Sequence, residues 1–368
     1  MLYSRFLQPR SGENPVFPAK TQAENKKLKL KHPTDRGIFM KLAVLTSEER
    51  VRAYTDPAMI PPETEFIQLG QDYTEEDVIR KAHDADFILV DAILPVTKKM
   101  IDSMPHLRMI HSEGVAYNKI DLKAASEAGV FVCNNKAVNA GAVAEQTVLL
   151  MLSVLRRLRE GDRLVREGHQ IEAKSRFILE GIRELESCHV GLVGFGMIAK
   201  ETARRLSAFG CRISYYKPNR APEIVEKEFG VEWLPFEELC RQCDIISLHT
   251  PVLPETTHMI NEKTISLMKN NVVIINTARG DLIDQEALCS ALKTGKIAGA
   301  GLDTLTPEPV TPENPLLNLP KDTADRVIFS PHIAGTTKNV FEKIYRTIWT
   351  NIRKAGSGER PDNIVNDI

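Results

Sequence analysis

This 368-residue chain contains no run of about eighteen apolar residues, so no transmembrane helix is expected. Charge of either sign is not in excess. The 48 Lys and Arg against 49 Asp and Glu leave a formal net charge of −1, which removes the usual electrostatic reason to expect nucleic acid or an anionic membrane as partner. Cysteine is sparse. Six are scattered singly apart from Cys240 and Cys243, a usage that fits a reducing cytoplasm better than a disulfide framework. Cys240-Arg-Gln-Cys243 ends a helical stretch just before a strand, and no third or fourth ligand of metal spacing follows, so it reads as core and no metal is expected. Internal repeats and low-complexity segments are also missing from the main body. Residues 1–39 lack any sustained apolar period, and Lys26, Lys27, Lys29 and Lys31 bunch there. Without an apolar signal core, this stretch reads as a flexible or loosely docked tail. An organelle-targeting reading based on Arg5 and Arg10 is less favoured, and Met40 is a candidate start of its own.

What is present is an alternation. The runs "KLAVLT", "EFIQLG", "DFILVD", "LRMIHS" and "VFVCN" read as strands. Between them, "TEEDVIRKAHDA", "TKKMIDSM" and "DLKAASEAG" carry helical apolar spacing and polar caps. A long helical pattern, Ala140 to Gly168, connects this series to a second one: "HVGLVGFG", "RISYY", "CDIISLHT", "NVVIINTA", "AGAGLDTL" and "RVIFSPHIAG". Strands alternating with helices imply parallel sheets with right-handed crossovers. The expected fold is therefore α/β, with two Rossmann-like or flavodoxin-like doubly wound parallel-sheet domains and a cleft between them. Residues 40–145 form the first domain and 146–336 the second. The amphipathic helix within 337–368 returns to complete the first.

The second series opens on a glycine pattern. Gly194, Gly196 and Ala199 follow a buried-strand run and precede the helix "AKETARRLSAFG". That context fits a dinucleotide pyrophosphate seated on the helix start around Met197 and Ile198. About twenty residues on, where a ribose-binding acid usually stands, the chain has Lys217 with Arg220 close behind. Two cations there suit a 2′-phosphate, so NADP is the preferred cofactor and NAD remains possible.

Three further stretches follow strands of this domain: "NTARGDLID", "GLDTLTPEP" and "SPHIAG". With them, the chain from about Met40 to the final helix resembles the D-isomer-specific 2-hydroxyacid dehydrogenase family. The resemblance implies a hydride transfer between a nicotinamide and a small 2-keto or D-2-hydroxy acid, with Arg279, Glu308 and His332 as the catalytic set. The chemistry suits these residue types. A guanidinium fork clamps a carboxylate and polarises a ketone. A histidine exchanges protons near neutral pH, and a carboxylate on its far nitrogen stabilises the imidazolium. The resemblance also implies backbone contacts to the substrate carboxylate at Val115 and Ala116. It places Thr250, Pro251, Thr277, Ala278 and Asp303 along the nicotinamide half of the cofactor, and implies a homodimer.

Some features depart from that pattern or stand outside it. Ala116 occupies a position where the family usually has glycine. Glu113 puts a negative charge beside an anion-binding turn, either pointing away or selecting a substrate tail that is cationic or hydroxylated. His111, His249 and His258 have no matched carboxylate in sequence and read as structural or peripheral. The alternative from another class is a dinucleotide-sensing binding protein like the family's corepressor relatives, against which the intact Arg279, Glu308 and His332 argue. A formate dehydrogenase relative is disfavoured because glutamine is expected at position 308. At this length a phosphoglycerate dehydrogenase with a C-terminal regulatory domain is not expected, whereas a short form stays open.

Overall fold

In the computed structural model, residues 40–368 are described; the expectations for the tail at 1–39 lie outside them. Five parallel strands make the first sheet: β1 (Met40–Leu45), β2 (Thr64–Gln68), β3 (Phe87–Val90), β4 (Met109–Ser112) and β5 (Phe131–Cys133). Their order is β2-β1-β3-β4-β5. Seven make the second: β6 (His189–Val193), β7 (Arg212–Tyr216), β8 (Val231–Trp233), β9 (Ile245–Leu248), β10 (Val272–Asn276), β11 (Ile297–Leu302) and β12 (Val327–Phe329). Their order is β12-β11-β10-β9-β6-β7-β8. All pairings are parallel, so helices cover both faces; β3 is an unbroken apolar run, and β9 and β10 are apolar but for Ser247 and the closing Asn276. In each sheet the strand order reverses beside its first strand, which opens a crevice at the carboxyl ends.

Two helices tie these sheets together. The connecting helix Ala140–Leu155 is apolar nearly all round, the pattern of a buried helix. Val148, Leu150, Met151 and Leu155 join the core of β6 and β10, whereas Ala142 packs against the first domain. The C-terminal helix Lys338–Gly356 returns to the first sheet, where Val340, Ile344, Tyr345, Ile348 and Trp349 pack on Leu42, Val44, Phe87 and Leu89.

The expectation of one helix from Ala140 to Gly168 is corrected. The helix breaks at Arg157, which adopts a left-handed conformation (φ 51°), and a second helix runs Leu158–Arg166. The side chain of Arg157 accounts for the break: it pairs with Glu160 and Glu180 and lies over the Phe177 ring. A third helix, Gln170–Glu180, follows before β6. No described helix is long and apolar enough to cross a membrane.

Candidate active site

Gly194 follows β6, and its N–H donates to Tyr216 O at 2.8 Å. It sits at φ +98°, where a Cβ would lie 2.4 Å from His249 O, so no other residue fits. Gly196 differs: a Cβ there would meet nothing within 4 Å. The space it leaves lies at the start of the helix Met197–Ala208, which has no side-chain cap. The first main-chain bond of that helix is Lys200 N–H to Gly196 O, so the amides of Met197, Ile198 and Ala199 have no acceptor among the described residues. An open cradle facing unpaired amides at the positive end of a helix fits a dinucleotide pyrophosphate.

At the end of β7 the two expected cations part company. Arg220 donates to both oxygens of Glu226, at 2.9 and 2.7 Å. Glu226 is buried and also accepts from Tyr215 Oη at 2.7 Å, and Tyr215 Oη in turn accepts from Ala221 N–H at 2.8 Å. Arg220 therefore braces the loop, and its charge is compensated by Glu226. Lys217 is half-buried, its carbonyl accepts from Trp233 Nε1 at 3.1 Å, and its ammonium makes no ion pair among the described residues.

Arg279, Asp303 and His332 follow β10, β11 and β12, three consecutive neighbours in the sheet. Arg279 is held by its main chain. Asn276 Nδ2 donates to Arg279 O at 2.8 Å, and Asn276 Oδ1 accepts from Ala278 N–H at 2.9 Å. Gly280 presses so closely on the Leu305–Thr306 backbone that a Cβ would stand 2.3 Å from Leu305 C. The guanidinium remains exposed. It donates to Ala278 O at 2.6 Å and makes no ion pair among the described residues. Asn276 was not singled out by sequence reasoning, although an asparagine closing an apolar strand is a usable signal for such a clamp.

Asp303 is buried, and its carboxylate shapes the histidine loop. It accepts from Ser330 Oγ, from Ile333 N–H at 3.1 Å and from Ala334 N–H at 3.0 Å. Its carbonyl accepts from His332 N–H at 2.9 Å. These bonds hold His332 in a left-handed conformation (φ 54°). The imidazole Nδ1 is hydrogen-bonded to Glu308 Oε1, and Nε2 has no partner among the described residues. Of the cofactor-side residues, Thr277 commits its hydroxyl to Thr147 Oγ1 at 2.9 Å, tying β10 to the connecting helix. Ala278 and Thr250 are half-buried and Pro251 is exposed.

Across the crevice, the turn after β4 carries Val115 and Ala116, whose N–H groups have no acceptor among the described residues. Glu113 points away from this turn into the fold. Its Oε2 accepts from Thr46 Oγ1 at 2.7 Å and lies 3.1 Å from Arg50 Nη2. Its Oε1 accepts from Tyr345 Oη at 2.5 Å. Burial pushes the Glu113 carboxyl above its ordinary value even though Arg50 pulls the other way. His111 is equally internal. Nδ1 donates to Ser112 O at 2.8 Å and Nε2 accepts from Asn351 Nδ2 at 3.1 Å, while burial drives its pKa down to about 4. His249 bonds Ser247 Oγ at 2.9 Å and is likewise pushed to about 4 by burial. His258 is exposed, and its N–H donates to Asp281 O.

Two parallel-sheet domains, one of them with a glycine cradle at a helix start that fits a dinucleotide, define the class of two-domain nicotinamide-dependent oxidoreductases. Residues 148–334 match the family described as D-isomer specific 2-hydroxyacid dehydrogenase, NAD binding domain, and the chain belongs to that family. It is 36% identical over 289 residues to a glyoxylate reductase of Korarchaeum cryptofilum, covering 78% of this chain and 85% of that one. It is 36% identical over 314 residues to a D-3-phosphoglycerate dehydrogenase of Methanocaldococcus jannaschii, covering 85% of this chain and 58% of that one. Among solved structures, D-lactate dehydrogenase with NAD+ from Lactobacillus jensenii superimposes with a TM-score of 0.75 at 27% identity, covering 89% of this chain and all of that one.

Proposed function

We propose that this protein interconverts a small 2-keto acid and its D-2-hydroxy acid, with His332 as the general acid and base and Arg279 as the carboxylate clamp. The observation that carries this reading is the His332–Glu308 pair, which leaves Nε2 without a partner among the described residues, on a strand separated only by β11 from the one that carries the Arg279 guanidinium. When bound at the glycine cradle, the nicotinamide supplies the hydride. Arg279 orients the carboxylate and draws electron density from the ketone oxygen. His332 Nε2 delivers a proton to that oxygen in reduction and removes it in oxidation, while Glu308 holds the Nδ1 proton and fixes the ring. The amides of Val115 and Ala116 receive the carboxylate from the other domain. Lys217, with its charge uncompensated, favours NADPH over NADH.

The test is a panel of 2-keto acids assayed with NADH and NADPH separately. Turnover of at least one is expected, with His332→Ala lowering kcat by a factor of about 10² to 10⁴ at nearly unchanged cofactor affinity. Tight dinucleotide binding with no turnover would instead favour the cofactor-sensing alternative.

We further propose a homodimer built on the cofactor domain. The helices Ala140–Leu155, Leu158–Arg166 and Gln170–Glu180 expose Leu149, Leu158, Val165, Ile171, Ile178 and Leu179.

A further inference from the structure

In a trans peptide the carbonyl and the N–H point to opposite sides, so the turn after β4 can be read peptide by peptide. The carbonyl of Gly114 accepts from Asn135 N–H at 2.9 Å. That of Val115 accepts from Asn134 Nδ2 at 2.7 Å, and that of Ala116 from Ser112 Oγ at 2.6 Å. With all three carbonyls turned into the protein, the N–H groups of Val115, Ala116 and Tyr117 are turned the other way. None of the three has an acceptor among the described residues. Asn135 Nδ2 secures the base of the turn by donating to Ser112 O and Glu113 O, both at 3.1 Å. Asn134 and Asn135 are only 3% and 1% exposed. A buried primary amide is a neutral donor of fixed reach, able to pin a carbonyl without the desolvation cost of a lysine or arginine. The Asn134 backbone is anchored in turn, its N–H donating to Asn363 O at 3.3 Å.

We propose that Asn134, assisted by Ser112, is a positioning residue for substrate binding. Acting through the Val115 and Ala116 carbonyls, the two side chains orient the amides of Ala116 and Tyr117, which join that of Val115, set by the Asn135 N–H on the Gly114 carbonyl, as an anion nest for the substrate carboxylate. This rests on the reading that the turn receives a 2-keto acid. It goes further in assigning the side chains that shape the nest and the third amide in it. The side chains never touch the substrate. Their effect falls on its binding, through the direction of the amides.

The test uses the full-length, cofactor-loaded protein, steady-state kinetics with a 2-keto acid that is turned over, and calorimetric binding of oxamate as a non-reacting carboxylate probe. Asn134→Ala should raise both KM and the oxamate Kd about tenfold, with kcat reduced less than about threefold and NADPH affinity unchanged. Ser112→Ala should shift both in the same direction by a smaller factor, and Ser112→Thr, which keeps the hydroxyl, should restore them. Wild-type KM and oxamate Kd in folded Asn134→Ala would overturn the proposal. So would a parallel loss of NADPH affinity, the mark of general loosening. If Asn134→Ala does not fold, the Ser112 pair decides by the same readouts. A wild type that binds oxamate but reduces no 2-keto acid defeats the parent reading alone, and the nest is then judged on oxamate binding. Binding of neither defeats both.

Discussion

A guanidinium gripped by both oxygens of a buried carboxylate has little charge left to offer a phosphate, and Arg220 is in that state. Lys217, the residue that follows β7, makes no ion pair among the described residues. If cofactor choice is electrostatic here, it rests on one cation rather than two. Lys217→Asp should therefore shift the ratio of NADPH to NADH affinity toward NADH by roughly tenfold, about 1.4 kcal/mol. The complementary substitution is Glu226→Gln, which keeps the acceptor for Tyr215 and removes the charge that neutralises Arg220. Tighter NADPH binding, read from nicotinamide fluorescence, is expected, with NADH affinity unchanged. An unchanged NADPH affinity would show that Arg220 does not reach the phosphate even when released.

The pairing of β4 with the C-terminal helix makes a pH prediction at the level of elements. His111 is neutral, clamped between Ser112 O and Asn351 Nδ2, with a pKa of about 4 against an ordinary 6.5. Between those values the unfolded chain binds a proton that the folded one refuses, so this stability is fully present above about 6.5 and drains away as pH falls toward 4. His249, shifted the same way by burial, adds to the effect. The melting temperature should fall between pH 7 and pH 5, and His111→Gln should flatten that fall in calorimetry. Equal slopes in variant and wild type would remove His111 as a cause. These same elements mark where the sequence can be read and where it cannot. Strands β3, β9 and β10 are legible because a strand covered on both faces is almost wholly apolar, and the final helix because its apolar stripe has a helical period. The break at Arg157 is illegible because the helical pattern continues through it and Glu180, which helps fix it, lies in another helix. β8 is only three residues long. The direction of Glu113 depends on Thr46 and Tyr345, 67 and 232 residues away, which no local pattern encodes. That Arg279, Glu308 and His332 follow strands of the second sheet is legible, because those strands form a recognisable series. The bonds that orient them, from Asn276 and Asp303, emerge only when the strand ends converge.

At the scale of the whole molecule, the exposed apolar surface is unevenly spread. Leu179 is 88% exposed, Ile171 70% and Ile178 68%, and with Leu149, Leu158 and Val165 they fall within three successive helices between the two sheets. Clustered exposure of large apolar side chains marks an interaction surface, whereas scattered single ones need no explanation. A second copy is the partner that a symmetric, self-complementary patch would take. Such a dimer would join the cofactor domains and leave the first sheet free to close over the crevice, as a water-excluding hydride transfer requires. The double variant Ile178→Glu with Leu179→Glu should shift sedimentation from dimer to monomer while circular dichroism stays that of the wild type, because both side chains are already in water within one chain. Activity should then fall with dilution in the wild type only if assembly steadies the cofactor domain. A wild type that sediments as a monomer at micromolar concentration would refute the assembly and leave the active-site reading intact, since Arg279, Glu308, His332 and the turn at Val115 all come from one chain.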